Sequence, residues 1–228
     1  MSRSSASLGP DAERGIEALL ELLRIDPTAP VSKATLADAE DVHVADSLAG
    51  LELSELREAD RIADLGSGAG FPGLVLALAL VHVRCELIES SSRKCAFLRR
   101  AIERTGAANA AVVCERAERW AAGEGREAYD AVTARAVGRL ATLAELASPL
   151  LRDGGVLVAW KGNRDDDEEA EMERAGPRLG VEPIEIRSVT PYRGSRGRHI
   201  HLLRKNGLTP EGLPRREGLA AKRPFGSE

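Results

Sequence analysis

The sequence predicts an α/β fold: a mainly parallel sheet with helices on both faces, an antiparallel edge strand and a small helical lobe in front. Three observations predict it. From residue 61 onward, short apolar runs alternate with amphipathic helical stretches, which is the rhythm of βαβ units. The first run opens directly into a glycine-rich loop followed by a helix, the arrangement that places a ligand beyond the carboxyl end of such a sheet. The last two runs, 181–189 and 198–204, follow one another with no helical stretch between them, which predicts an antiparallel edge.

The elements follow in order. Residues 1–10 are small and polar, end at Pro10 and are expected to be disordered. Residues 11–24 carry Ile16, Leu19, Leu20 and Leu23 at helical spacing, with Asp11 at the start and Pro27 and Pro30 beyond the end, so they predict an amphipathic helix. A short helix is expected over 41–51, with Val42, Leu48 and Leu51 inward. Residues 11–60 therefore form an N-terminal helical lobe. The main domain, 61–206, begins with a strand at 61–65 and the loop Gly66–Gly70. Pro72 then opens a helix, where its missing N–H costs nothing. Strands are expected at 85–88, 111–114, 130–133 and 156–160. Helices are expected at 91–104, at 140–151 with a stop at Asp153-Gly154-Gly155, and at 165–178. Residues 207–228 are rich in Pro, Gly and basic groups and read as an extended basic tail. No internal repeat is evident.

Composition narrows the class. The chain has 228 residues, 43% hydrophobic and 30% charged, typical of one compact domain with an appendage. The net charge of -4 hides a polarised molecule. Residues 1–60 hold 5 basic and 13 acidic side chains, whereas 187–223 hold 10 basic and 2 acidic, and that polarity bears on partner choice. The longest apolar run, Phe71 to Val81, has 11 residues, short of the ~20 that a membrane span needs. No apolar signal segment precedes the first helix, so a cytoplasmic protein with no membrane partner is expected. Cys85, Cys95 and Cys114 are scattered, without a C-x-x-C pair or a histidine cluster. They read as three small buried thiols in a reducing compartment, with no metal site. With 3 Phe, 2 Tyr and 2 Trp, a platform that stacks single-stranded bases is disfavoured.

The most informative stretch is Asp64-Leu65-Gly66-Ser67-Gly68-Ala69-Gly70-Phe71-Pro72-Gly73. Glycines allow the tight turn and let a ligand approach the backbone. Glu89 ends the next strand, 25 residues after Asp64, where a carboxylate can accept bonds from ribose hydroxyls. Gly68-x-Gly70-x-x-Gly73 also matches the dinucleotide fingerprint, so an NAD-dependent oxidoreductase is one reading, and a ligand-free glycine turn is another. The register favours a third. An acidic residue two positions before the first glycine, Asp64-x-Gly66-x-Gly68, resembles the first motif of class I S-adenosylmethionine methyltransferases, which are Rossmann-like.

Further segments extend that resemblance. They are His43-Val44-Ala45-Asp46-Ser47-Leu48, Gly70-Phe71-Pro72-Gly73, the run from Glu89 to Leu98, Arg116-Ala117-Glu118, Ala134-Arg135-Ala136, Trp160-Lys161-Gly162, Arg198-His199, and the tail from Leu213 to Pro224. As an ordered set, from about residue 15 to the end, they resemble the bacterial ribosomal RNA small subunit methyltransferase G family, also called glucose-inhibited division protein B. The resemblance implies methyl transfer from S-adenosylmethionine to N7 of a guanine in 16S rRNA. It implies cofactor contacts at Gly66, Phe71, Ala117, Glu118 and Arg135. Gly68 and Glu89 join them from the loop and strand-end argument. The family usually carries Asp at the position of Glu89, and the segment between Glu118 and Arg135 is longer than usual.

Guanine N7 is a lone-pair acceptor and needs no general base. Positioning is therefore the expected mode of catalysis, and no residue is assigned as catalytic acid or base. Candidate RNA contacts are Arg93, Lys94, Lys161, Arg198, His199, Arg215, Arg216, Lys222 and Arg223, with 16S rRNA or a small-subunit assembly intermediate as partner and a monomer favoured. Phosphate contacts of this kind supply much of nucleic-acid affinity. The roles of His43, Asp46 and His199 stay open. The acidic stretch 165–173 reads as a solvated helix face turned away from RNA. A non-catalytic RNA-binding protein with a degenerate pocket is the remaining alternative.

Overall fold

In the computed structural model, residues 8–32, 36 and 40–226 are described. Seven strands form one sheet: β1 Arg61–Leu65, β2 Arg84–Ile88, β3 Ala110–Val113, β4 Tyr129–Arg135, β5 Leu151–Lys161, β6 Val181–Val189 and β7 Arg198–Lys205. Their spatial order is β3-β2-β1-β4-β5-β7-β6. Strands β1 to β5 pair in parallel, and β7 pairs antiparallel with both β5 and β6. The reversed strand is thus one place in from the edge, and β6 is the edge itself. The order turns back between β1 and β4, so the ligand crevice of this architecture opens there, beyond the carboxyl ends of the strands.

The period of two in each strand divides the core. Val156, Val158 and Trp160 of β5 join Ile62, Leu76, Leu53 and Leu56 on one side. Leu157 and Ala159 join Leu143, Met172, Leu179 and Leu203 on the other. The helix Pro10–Ile25 has no core of its own. Its Leu19 and Leu23 share a cluster with Leu74, Leu78, Leu87 and Phe97, so the segment before β1 is built into the same body as the sheet.

Several expectations change. The helix expected over 140–151 ends at Ala147, and β5 begins at Leu151 and takes in Asp153-Gly154-Gly155. Those glycines serve a strand irregularity opposite Tyr129 and Ala131. Gly154 has φ +76°, and a Cβ on Gly155 would lie 3.0 Å from the Tyr129 carbonyl oxygen. The run 207–226 is not an extended tail. Leu213 and Ala220 are buried, Phe225 packs on the Leu143 side of the core, and Leu219–Lys222 is a helical turn. The expectation for residues 1–7 lies outside the described residues.

The cysteines are also corrected. Cys95 and Cys114 form a disulfide with a Cα–Cα distance of 5.8 Å, while Cys85 is the free, buried thiol. Parallel pairing of β2 with β3 brings the first turn after β2 beside the end of β3, a closeness that a 19-residue separation conceals. The acidic stretch 165–173 is solvated only in part. Asp165 caps the helix Asp166–Leu179 through the Glu168 N–H, but Glu168 and Glu171 are buried. No helix among the described residues is long and apolar enough to cross a membrane.

Candidate functional site

The crevice is built on the glycine loop after β1. Gly66, Gly68 and Gly70 have φ of +66°, +55° and +95°, conformations that side chains disfavour. The Gly66 and Ser67 N–H groups donate to the Ile88 carbonyl at 2.9 and 3.2 Å, which pins the loop to the end of β2. Gly73 seats the following helix on β1, because a Cβ there would fall 2.5 Å from Asp64 Cβ. Beneath the loop, Asp64 is fully buried. Its Oδ1 accepts from Thr133 Oγ1 at 2.7 Å, and its Oδ2 has no partner among the described residues.

Burial raises the Asp64 carboxyl to about 6, although the hydrogen bond from Thr133 opposes the shift. The folded chain then holds this proton more tightly than the unfolded one does. The contribution to stability is fully present below about 4 and is lost as pH rises through about 6. Urea unfolding of the wild type and of Asp64→Asn across pH 4 to 7 is expected to show a fall in stability that the variant lacks. Parallel curves would place the titration elsewhere.

Glu89 closes the β2 side. It is buried, with Oε2 accepting from the Gly68 N–H at 3.2 Å and Oε1 from the Ser91 N–H at 2.9 Å. Lys94 Nζ lies 3.7 Å away. Ala117 and Glu118 begin the short helix after β3. Glu118 is buried and accepts from the Gly218 N–H at 2.6 Å, so the C-terminal segment holds this carboxylate in place.

The β4 side is more densely wired than the sequence reading anticipated. Arg135 Nη1 donates to Asp46 Oδ2 at 3.1 Å and to the carbonyls of Val42 and His43, and Nη2 reaches His43 Nδ1 at 3.2 Å. The guanidinium lies 5.3 Å from the centre of the Phe71 ring, and His43 stacks on the same ring at 4.9 Å. Trp160 Nε1 donates to the Asp46 carbonyl at 2.8 Å. His43 and Asp46, left open from sequence, are thus central to the site. No local signal could have joined them to Arg135, which lies about 90 residues away in the chain.

The chain matches the family model of rRNA small subunit methyltransferase G over residues 31–199. It belongs to the rRNA small subunit methyltransferase G family. It is 39% identical over 213 residues to ribosomal RNA small subunit methyltransferase G of Thermotoga neapolitana, covering 93% of this chain and 91% of that protein. It is 40% identical over 185 residues to that of Pelotomaculum thermopropionicum, covering 80% and 77%. Among solved structures, a SAM-dependent O-methyltransferase from Thermotoga maritima matches at TM-score 0.55 and 16% identity, covering 85% of this chain and 73% of that one. P. horikoshii TYW2 in complex with MeSAdo matches at 0.53 and 14%, covering 71% and 62%. At those identities the structures report the fold alone, and the fold agrees. The methyltransferase G family assignment sets aside the nicotinamide reading of the glycine loop.

For a member of this family, the basic candidates divide sharply. Lys161 donates to Glu168 at 2.7 Å and to the Gly138 carbonyl at 3.1 Å, so its ammonium is engaged inside the protein. Arg215 is bidentate on buried Glu145 and lies 4.0 Å from the centre of the Phe225 ring. Arg198 faces Tyr192 and Asp46, and His199 Nδ1 contacts the Gly162 carbonyl at 3.1 Å. These four have partners within the protein, and each partner is distant in sequence or of a type that spacing does not reveal. Lys94 is half-buried beside Glu89. Arg93, Arg216, Lys222 and Arg223 are exposed. Arg216 and Lys222 line a cleft of about 710 Å³ that also touches Glu118 and Arg119.

Proposed function

We propose that this protein transfers a methyl group from S-adenosylmethionine to N7 of a guanine in 16S ribosomal RNA, acting as a cytoplasmic monomer on free rRNA or on an assembly intermediate of the small subunit. The observation that carries this reading is the crevice between β1 and β4 in a chain of this family, with buried Glu89 on one side and the Arg135–His43–Phe71 cluster on the other.

The residues suit the cofactor. A Cβ on Gly68 would make only an ordinary contact with the Gly66 carbonyl, so the loop leaves room above Gly68, while Gly66 gives space to the Val137 side chain. Glu89 keeps free lone pairs for a ribose diol, and Asp64 Oδ2 is a buried acceptor that an ammonium group above the loop would satisfy. Ala117 and Glu118 flank the space beyond Glu89, where the adenine is held in this reading. Bound S-adenosylmethionine supplies an electrophilic methyl on a sulfonium. A new N7–CH3 bond forms as the S–CH3 bond breaks. Guanine N7 carries no proton to remove, so the residues are required to orient rather than to abstract. Burial, with the Arg135 charge nearby, drives His43 down to about 4, so its imidazole is neutral at physiological pH. Arg93, Arg216, Lys222 and Arg223 are the cations proposed to meet phosphate.

Incubating the purified chain with labelled S-adenosylmethionine and protein-free or partly assembled 16S rRNA is expected to label one guanine, mapped by the strand scission that N7-methylguanine permits. Cofactor binding with no labelled rRNA of either kind would refute the substrate assignment. RNA affinity without cofactor affinity would favour a non-catalytic binder.

A further inference from the structure

With adenosine on the β2 and β3 side, methyl transfer takes place over the turn-back in strand order, a placement that rests on the function proposed above. The walls there are the glycine loop after β1 and the segment Ala136 to Arg139, which leaves the end of β4.

Val137 stands at that place. Among the described residues, the exposed large apolar side chains are Ile25, Val81, Val137, Ile184 and Leu208. Of these, only Val137 follows the carboxyl end of a parallel strand. Its side chain lies on the glycine loop, because a Cβ on Gly66 would fall 2.8 Å from Val137 Cγ2. It is nonetheless 36% exposed, so it can be reached from solvent at the crevice.

The chain is set to present this side chain. Ala136 has φ +58°, a left-handed conformation that costs a residue with a Cβ and persists where the surroundings hold it. Both flanks are held. Arg135 is tied to Asp46 on one side. On the other, Lys161 Nζ donates to the Gly138 carbonyl at 3.1 Å, Arg139 Nε to Glu171 at 2.6 Å, and the Leu140 N–H to Glu168 at 2.7 Å. Glu168 and Glu171 are themselves buried. The segment is therefore a fixed wall, the kind of support that positioning catalysis requires.

We infer that Val137 packs against the acceptor guanine beside N7 and keeps water off the line between N7 and the methyl. In solution, N7 accepts a hydrogen bond from water, and a lone pair so engaged must be released before it attacks. Valine offers contact without a donor. As the N7–CH3 bond forms, the S–CH3 electron pair stays on sulfur, positive charge passes to the base, and no proton moves. Val137 is in this sense a substrate-contacting residue that acts by excluding water.

Three variants of the full-length protein test this on a 16S rRNA fragment carrying the target guanine. Val137→Thr keeps the β-branched shape and adds a hydroxyl that can donate to N7. Its single-turnover rate is expected to fall about tenfold. Its affinities for S-adenosylmethionine and for the fragment, measured by calorimetry and filter binding, are expected within about twofold of wild type. Val137→Ile, which stays apolar, is expected to keep its rate within about threefold. A readout apart from turnover uses dimethyl sulfate, which methylates an accessible guanine N7 without enzyme. In the complex of wild type, fragment and demethylated cofactor, the target N7 is expected to be protected, and Val137→Ala is expected to lose that protection. A threonine variant as fast as wild type would overturn the inference. So would a fall in cofactor affinity that accounts for the slower rate, since Val137 would then only brace the Gly66 loop. An isoleucine variant as slow as threonine, or equal protection in the alanine variant, would overturn it as well. A wild type that methylates cleanly beside an unimpaired Val137→Thr refutes this inference alone. A wild type that leaves guanine unmodified refutes the proposed function beneath it.

Discussion

Replacing Glu89 with alanine is expected to weaken S-adenosylmethionine binding about a hundredfold, the largest functional effect of any single change considered for this chain. Glu89 is 5% exposed and stands at the end of β2, where it collects the N–H groups of Gly68 and Ser91. In the proposed site a ribose diol over that carboxylate would make two hydrogen bonds, each contributing about 1.5 kcal/mol or more. Alanine removes both and also releases the Gly68 amide that helps hold the loop. Calorimetric titration should show S-adenosylmethionine and its demethylated product losing affinity alike, because the ribose is common to both. Glu89→Asp, which keeps the charge and shortens the reach by one methylene, should stay within about fivefold of wild type. A loss under threefold in the alanine variant would mean that the ribose is held elsewhere.

Arg215→Ala is expected to have the largest effect on stability, about 3 kcal/mol, with methyl transfer falling only as far as folded protein is lost. The guanidinium is bidentate on Glu145, which is 3% exposed on the helix Leu140–Ala147, and it also donates to the Arg223 carbonyl at 2.7 Å. Removing one partner of a buried pair strands the other charge in a poorly solvated site, whereas removing both is far milder. Urea unfolding of the single variant should therefore show the loss, and Arg215→Met combined with Glu145→Leu should recover most of it. A single-variant cost below 1 kcal/mol would make the pair a surface contact and return Arg215 to the RNA candidates.

How much was legible in the sequence can be judged residue by residue. The strand Arg61–Leu65, the glycine loop and Glu89 lie within about 30 residues of one another, and each announces itself by apolar period, glycine spacing or position at a strand end. The disulfide did not. Cys95 and Cys114 carry no local motif, and only the β2–β3 pairing brings them together. Glu168 and Glu171 were also hidden, because an acidic run looks solvated until Lys161 and Arg139 are seen to reach it from other elements. Gly154 and Gly155 were misread as a helix stop, since the same dipeptide serves a strand irregularity when backbone carbonyls crowd it.

The sequence by itself determined the order of strands, loop and helices, and the family, because these depend on short-range periodicity and on motifs whose members are near neighbours. Only the tertiary structure decided which charges are free. Lys161, Arg198 and Arg215 look identical to Arg93 and Arg216 in a one-dimensional reading, yet Glu168, Asp46 and Glu145 engage the first three. Two of those acidic partners come from a distant part of the chain, and Glu168 lies in the acidic run that had looked solvated. The same is true of His43. Its hydrogen-bonding state is set by an arginine 92 residues away, a pairing that only folding creates.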